Sequence, residues 1–182
     1  MAASRAGPIS TKRPLRKWFV PDFDRLLVAS IFPGPFANPD RHLKPGTGWI
    51  EQVEIDLEPR CDDGTLPANS YVRQWYDSIV GASQRSGRSI AYQHNTRQML
   101  QNAGFIDIQE IVIRAPFNSW PADPHQKEIG RWYHLGLTEG LEALSLGTLF
   151  RNYEWSAEVI RNWLRSVRRE IGTTKFHAYN NM

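Results

Sequence analysis

Two acids and an arginine alternate at the end of an apolar run and could take part in chemistry. The run from Trp49 to Asp56 contains aromatic and β-branched residues and no proline or glycine, which predicts a strand. Glu58 and Arg60 follow two and four residues after Asp56. Ligands of open α/β sheets bind at the carboxyl ends of the strands, so these three side chains are candidates to line a site.

Asp56 has two readings. Its carboxylate could act as a general base that removes a proton from a hydroxyl or amine acceptor. A carboxylate after a strand can also accept hydrogen bonds from nearby backbone and hold a loop, which is the more frequent role. Glu58 and Arg60 are predicted to contact a substrate, together with Trp120, which lies beyond the next predicted strand.

The sequence contains no other motif for nucleophilic catalysis or metal binding. Cys61 is the single cysteine, which excludes an internal disulfide and a cysteine metal cluster. No G-x-S-x-G elbow is present, and Ser70 and Ser156 are explained as helix caps. No two histidines have metal-ligand spacing, so we predict no metal site; the histidines are residues 42, 94, 125, 134 and 177.

Helical and strand patterns alternate after Asp56. A loop is predicted for Leu57 to Ala68, and Ser70 caps a helix with apolar residues at helical spacing. A short helix follows Asn95, and the run Phe105 to Arg114 predicts a covered strand because it is apolar on both faces near its end. The last predicted elements are a helix over Gln126–Phe150, a helix from Ser156 to Gly172, and a strand beginning at Lys175.

Small and basic residues have particular places in the two long helices. Glycines weaken the first of these helices, and we expect some of them to let another element approach closely; they are Gly130, Gly136, Gly140 and Gly147. Apolar residues including Ile129, Trp132, Leu137 and Leu141 are predicted to form its buried face. Four arginines of the last helix predict a solvated surface more than a nucleic-acid stripe; they are Arg161, Arg165, Arg168 and Arg169.

Composition and charge limit the class of protein. The chain has 182 residues, of which 41% are hydrophobic, which is enough for a domain with a core. The net charge is +3, yet five positive charges and no acid lie in the first 17 residues, so the remainder carries −2. We predict a basic flexible tail over residues 1–18 and a domain over residues 19–182.

The tail leaves the location open between the cytoplasm and the nucleus. Lys12 to Lys17 could be a nuclear localisation cluster, part of an organelle presequence, or simply a solvated tail. No apolar run reaches the roughly 18 to 20 residues that cross a bilayer, and a secretory signal is not apparent. The sequence therefore predicts no membrane partner.

The stretch that enters the first strand resembles a known family. Residues 42–56 read HLKPGTGWIEQVEID, which is similar to the turn and fifth strand of class I SAM-dependent methyltransferases of the fungal LaeA-like branch. The resemblance covers roughly residue 40 to the end. Thr47 separates two glycines that are usually adjacent in the family, so the turn is expected to be one residue longer.

The resemblance implies a partial class I methyltransferase fold, which is α/β and Rossmann-like, and implies methyl transfer from S-adenosyl-L-methionine in fungal secondary metabolism. The glycine-rich turn that would hold this cofactor is not found, because Gly46-Thr47-Gly48 precedes a strand instead of following one. We therefore predict the C-terminal strands and helices of the fold without its cofactor-binding N-terminal half.

Three interpretations follow from this pattern: a divergent or truncated methyltransferase acting on a small-molecule acceptor, a regulatory module that binds a partner, or an inactive remnant. The strand Trp49 to Asp56 would have an open edge unless residues 19–31, a second copy or another protein covers it. Residues 19–31 could be either a strand or a short helix.

Overall fold

The computed structural model describes residues 2–6, 25–29 and 46–182, and it describes the first two ranges by their backbone only. Strands and helices are mixed, as the α/β prediction requires. In chain order the elements are β1 (Ala2–Ala6), β2 (Arg25–Ala29), β3 (Trp49–Val53), β4 (Asp56–Arg60), α1 (Tyr71–Arg85), α2 (Thr96–Asn102), β5 (Gln109–Val112), β6 (Arg114–Pro116), α3 (Pro124–Tyr153), α4 (Ala157–Ile171) and β7 (Tyr179–Asn181).

The chain forms two compact units. The first contains Met1–Ile55, Tyr92–Ile113 and Met182, and the second contains Asp56–Ala91 and Arg114–Asn181. The first unit holds an open four-stranded sheet in the order β2-β3-β1-β5, together with α2. The domain boundary that the sequence predicts after residue 18 stays a prediction.

Strand β3 is paired along both of its edges. Strand β2 runs parallel to it, with Leu26 opposite Ile50, and β1 runs antiparallel on the other side. The strand reading of residues 19–31 therefore holds for Arg25–Ala29, and the rest of that stretch lies outside the described residues. Of the three covers that the sequence analysis offered for this edge, the structure shows the first, because Arg25–Ala29 lies within residues 19–31 and pairs with β3.

Strand β1 lies inside the predicted flexible tail. Its residues Ala2–Ala6 pair with β3 on one side and with β5 on the other. The flexible-tail prediction is therefore wrong for these five residues, and residues 7–18, including the basic cluster, lie outside the described part. A short segment of small residues gave no strand signal, because its pairing partners are about 50 and 110 positions away.

The glycine turn before β3 agrees with its sequence. Gly46 has a φ of +84°, a conformation that glycine adopts at little cost, and the strand begins three residues later at Trp49. The predicted strand Trp49 to Asp56 is nevertheless two strands. Strand β3 ends at Val53 and β4 begins at Asp56 in a different sheet, so the loop predicted to start at Leu57 starts after Arg60.

The predicted covered strand Phe105 to Arg114 is also divided. Strand β5 is at the edge of the first sheet, and Ile111 and Val112 are 53% and 56% exposed, so the prediction of a covered strand is wrong there. Strand β6 belongs to the second unit, and its Ala115 and Pro116 are buried. A run that is apolar on both faces is therefore not always buried on both faces.

The second unit contains the three longer helices and a three-stranded antiparallel sheet in the order β4-β7-β6. The last strand in the sequence is the middle strand of this sheet: Asp56 of β4 is opposite Asn181, and Arg114 of β6 is opposite the same residue from the other side. The predicted final strand is confirmed, although it begins at Tyr179 and not at Lys175.

The helices of the second unit begin where their caps predict. The Ser70 side chain accepts a hydrogen bond from the backbone of Arg73, and that of Ser156 accepts one from Val159. Helix α4 ends at Ile171, before Gly172. Both serine caps are confirmed, while Asn95 stands before α2 without a side-chain cap bond.

The core of the second unit lies among α1, α3 and α4. Trp75 is 2% exposed, and its indole N–H donates to the hydroxyl of Ser145 at 2.8 Å, which in turn donates to the carbonyl of Leu141 at 2.6 Å. The same core contains completely buried aliphatic residues of the three helices: Ile79, Leu141, Leu149, Ile160, Leu164, Val167 and Ile171. A polar chain is thus built into an otherwise apolar core. Trp132, which the sequence predicted for the buried face of α3, is instead 69% exposed.

One glycine of α3 permits the close approach that the sequence predicts. A Cβ atom at Gly130 would lie 2.1 Å from the carbonyl oxygen of Asn118 and 3.3 Å from the Cβ of Pro116. Gly136 and Gly140 have nothing within 4 Å of such an atom. Only the first of these three glycines is required by packing.

Candidate functional site

Asp56 stands at the start of β4, where its carboxylate is enclosed. The residue is 4% exposed, and its Oδ2 accepts a hydrogen bond from Nη2 of Arg60 at 2.5 Å. Its Oδ1 accepts from the backbone N–H of Glu58 at 3.1 Å. Both oxygens are therefore engaged, which is the backbone-holding role foreseen as the alternative to a general base.

Arg60 links the two acids of the strand. The same Nη2 that binds Asp56 also donates to Oε2 of Glu58 at 2.9 Å. The hydrogen bond to Asp56 holds the pKa of Arg60 above its ordinary value. The Glu58 side chain is 47% exposed and the Arg60 side chain 31%, so Glu58 is the most accessible carboxylate of the three-residue group. We call Asp56, Glu58 and Arg60 the strand clamp.

The strand clamp lies beside two tyrosines that the sequence analysis did not select. Burial, followed by the charges of Asp56 and Glu58, raises the pKa of Tyr76 to about 12. Burial also raises the pKa of Tyr133, whose hydroxyl donates to Oδ1 of Asn180 at 2.8 Å. Both phenols are consequently neutral at physiological pH.

Asn180 connects the clamp to α3. Its side-chain N–H donates to the carbonyl of Glu58 at 2.8 Å while its oxygen accepts from Tyr133. No local pattern marks Asn180, because its partners are 122 and 47 positions away in the chain. Sequence reasoning could find it only after the position of β7 between two strands is known.

Trp120 does not join the strand clamp. Its indole N–H donates to the carbonyl of Ala178 at 3.0 Å, and its ring stacks on His177 with centroids 4.7 Å apart. His177 contacts the loop that follows β4, where its Nδ1 lies 2.5 Å from Oδ2 of Asp63 and its backbone N–H donates to Thr65. The four predicted site residues thus fall into two groups within the second unit.

Asp63 is the centre of the second group. It accepts hydrogen bonds from the backbone N–H of Thr65, from the Thr65 hydroxyl and from the thiol of Cys61. The backbone bond from Thr65 and the bond from His177 hold the pKa of Asp63 well below its usual range. The arrangement orders an exposed loop, and it holds His177 against Trp120.

The neighbouring Asp62 is bound separately. Its Oδ1 accepts from the hydroxyl of Tyr179 at 2.8 Å, and its Oδ2 accepts from Arg114 at the same distance. The Arg114 guanidinium also lies over the Tyr179 ring, 4.7 Å from its centroid. Asp62 therefore fastens this loop to both β6 and β7, while Asp63 fastens it to His177.

The described part of the chain offers no group of histidine, cysteine and acidic side chains that could hold a metal ion. None of the helices in the described ranges combines the length and the apolar content needed to span a membrane.

Comparison with known proteins identifies relatives for most of the chain. The secondary metabolism regulator LAE1 of Cochliobolus heterostrophus is 63% identical over 142 residues, which are 78% of this chain and 46% of that protein. The chain belongs to the LaeA-like family. The protein-methionine methyltransferase laeA of Emericella nidulans is 41% identical over 140 residues, and that of Chaetomium globosum is 38% identical over 175 residues.

This LaeA-like chain spans about half the length of the curated relatives it matches. The matched residues make up 37% of the Emericella nidulans protein and 55% of the Chaetomium globosum protein, and they include 76% and 93% of this chain. No family model matches the chain, and no solved structure matches it. The family resemblance seen in residues 42–56 is confirmed by these relatives.

Proposed function

We propose that this chain is part of a LaeA-like, SAM-dependent methyltransferase that acts in fungal secondary metabolism. The proposal rests on the similarity of this chain to relatives of two kinds, which differ in the function that their names state. One relative is a secondary metabolism regulator and another is a protein-methionine methyltransferase. A regulatory protein that also transfers methyl groups accounts for both names, and a purely partner-binding module accounts for only one.

We further propose that the second unit corresponds to the substrate-side portion of a class I methyltransferase fold. The order of elements supports this proposal: β4 leads to α1, β6 leads to α3 and α4, and β7 closes the sheet. The sequence patterns predicted this succession, with the short helix after Asn95 between the first long helix and the next strand. The partial Rossmann-like assignment rests on that order.

We propose that the strand-to-helix connections in the described residues do not hold the cofactor. Two strands in the described residues lead into a long helix, β4 into α1 and β6 into α3. The first connection has the single glycine Gly64, and the second has none. A glycine-rich turn that would bring backbone N–H groups to SAM is absent from both connections, so these residues do not fit the cofactor. We propose that the 182-residue chain alone does not bind SAM.

The strand clamp then has a positioning role. A general base is needed to methylate a hydroxyl or amine acceptor, but the thioether sulfur of methionine has no proton to lose. Because both oxygens of Asp56 are engaged, Glu58 is the carboxylate better placed to face an acceptor. Trp120 remains a proposed substrate contact, through the face of its ring that is not stacked on His177.

A domain exchange tests the function. The 142 matched residues of the Cochliobolus heterostrophus regulator are replaced by those of this chain, and the chimera is expressed in a strain that lacks the regulator. We expect the chimera to restore secondary-metabolite production, as the parent regulator does, and this chain alone not to restore it. A chimera that accumulates normally but restores nothing contradicts the proposal.

A further inference from the structure

Gln52 is a buried amide near the end of β3 that lacks one of its hydrogen bonds. The residue is 5% exposed, and its side-chain N–H donates to Oε1 of Glu54 at 2.6 Å. The amide oxygen, Oε1, is also buried, and the described part of the chain provides no donor for it. Most buried side-chain oxygens accept at least one hydrogen bond, because an unpaired one is destabilising. This oxygen therefore has room for a donor from outside the described residues.

Glu54 is a carboxyl group that has no positive partner. It is half-buried, and burial raises its pKa, although the hydrogen bond from Gln52 acts in the opposite direction. None of the salt bridges among the described residues involves Glu54. Carboxylates that are taken out of water are usually paired, and carboxyl groups with raised pKa values cluster at functional sites.

The pair lies where open α/β sheets bind ligands. Strands β2 and β3 are parallel, and their last residues, Ala29 and Val53, are opposite each other. Glu54 follows at once, so the pair is at the carboxyl end of two neighbouring parallel strands. Along this face of the chain the exposure rises from 1% at Ile50 and 5% at Gln52 to half-buried at Glu54. A ligand would reach the pair from the Glu54 end.

We propose that Gln52 and Glu54 form a binding site for an organic cation, namely a guanidinium or a primary ammonium group. Either group carries a positive charge and at least two N–H donors. One N–H would donate to Oε1 of Gln52 and another to Oε2 of Glu54, which accepts no hydrogen bond from the described residues. A single ligand thus supplies both the missing donor and the missing charge, whereas a neutral hydroxyl group supplies only the donor.

A metal cation fits the pair less well. Hard metal ions need six or more oxygen ligands in the case of calcium, and the described residues contain no group of three side chains that could hold a metal ion. Two side-chain oxygens are enough for the N–H groups of an organic cation. This assignment does not depend on methyl transfer or on where SAM binds.

The same face of the sheet provides a matched control. Gln52 of β3 and Glu110 of β5 are both opposite Ser4 of β1, so the two side chains share a face and are about 10 Å apart. Glu110 is exposed, and across that distance in water its charge is largely screened from a cation at Glu54. Removing the charge of Glu110 therefore changes the net charge of this face without changing the proposed site.

NMR of the isotope-labelled chain, titrated with N-acetylarginine amide or N-acetyl-lysine amide, tests the site. A range of about 0.1 to 10 mM brackets the roughly millimolar dissociation constant expected for so small a ligand. We expect a saturable shift of the Gln52 side-chain amide signal, which the neutral N-acetylglutamine amide does not cause. Tighter binding of the arginine amide identifies a guanidinium ligand, and binding of the lysine amide that is equal or tighter identifies an ammonium ligand.

Two substitutions separate binding from a structural role. Glu54→Gln keeps the shape of the side chain and removes its charge, so we expect it to weaken binding of the better probe at least about tenfold. Gln52→Leu removes the unpaired oxygen, so it should weaken binding while leaving the melting temperature of the free chain unchanged or higher. Glu110→Gln should weaken binding less than about twofold. Circular dichroism verifies that each variant is folded.

Three results would overturn the proposal. The first is a wild-type chain whose Gln52 signal does not shift with either cation up to about 10 mM. The second is equal weakening of binding by Glu54→Gln and Glu110→Gln, which would mean that only the general charge of the sheet is sensed. The third is a Gln52→Leu chain that melts at a lower temperature than the wild type and binds the cation as well, since the pair would then only hold the end of β3.

Discussion

Asp56 is a carboxylate whose surroundings determine its role. Its two oxygens hold Arg60 and the backbone of Glu58, and 4% exposure leaves it little contact with water. Hydrogen bonds to charged groups contribute about 1.5 to 3 kcal/mol each when they are shielded. We therefore regard Asp56 first as a residue that stabilises the start of β4.

Substitution of this residue should be costly for folding. Asp56→Ala is expected to lower the free energy of unfolding by about 2 to 3 kcal/mol, because Arg60 loses its buried partner. Glu58→Ala is the matched control. Because the Glu58 carboxylate is exposed, its removal should lower the free energy of unfolding by less than about 1 kcal/mol. Urea unfolding followed by circular dichroism measures both. Equal losses of unfolding free energy in the two variants would contradict the stabilising role of Asp56 in the strand clamp.

The loop after β4 should be sensitive to acid through Asp63. Since the pKa of Asp63 is lowered in the folded chain, its hydrogen bonds stabilise the fold above the ordinary aspartate pKa of about 3.9, and this stabilisation is lost as the pH falls further. We expect the melting temperature of the wild type to exceed that of Asp63→Asn at pH 6. The difference should shrink below about pH 4, the ordinary aspartate range. A difference that is constant with pH would show that the charge of Asp63 is not involved.

Residue roles were predictable where their partners are close in sequence. Ser70 and Ser156 each cap a helix through a bond to the third residue onward, so the pattern is contained in a few positions. Asp63 and His177 are 114 positions apart, and no local pattern joins them. The sequence analysis listed His177 only as one of five histidines without metal-ligand spacing, and it could not assign Asp63 as its partner.

At the scale of elements, α3 contains a pair of glycines that can be compared directly. Gly130→Ala forces a Cβ against the carbonyl of Asn118, which is backbone and cannot swing away, so we expect a loss of at least about 2 kcal/mol in unfolding free energy. Gly140→Ala meets nothing and should stabilise the helix by about 0.5 to 1 kcal/mol. Thermal and urea unfolding measure the change in unfolding free energy of each variant. If both substitutions stabilise the chain, or both destabilise it, this packing of α3 is contradicted.

The helices were predicted more accurately than the strands. Helix periodicity and capping are local, and both long helices lie within a few residues of their predicted positions. Strand assignment depends on pairing: the run from Trp49 onward is interrupted between Val53 and Asp56 because its two parts join different sheets. Nothing in the alternation of its residues distinguishes one long strand from two short ones.

At the scale of the whole molecule, the family could be read from one short segment, while the activity could not be assigned to any single site. Residues 42–56 carry the resemblance that the relatives confirm, and the matched residues make up 46% and 55% of two of those relatives. Under the proposed function the strand clamp and Trp120 supply only the substrate-facing part of a site, so we do not assign a catalytic centre to them alone.

Isothermal titration calorimetry with S-adenosylhomocysteine tests most directly whether the 182-residue chain alone binds the cofactor. The full-length Emericella nidulans methyltransferase provides the positive control. We predict heat of binding for the control and none for the 182-residue chain at the same concentrations. Stoichiometric binding at micromolar ligand by this chain alone would contradict the proposal that the cofactor is held elsewhere.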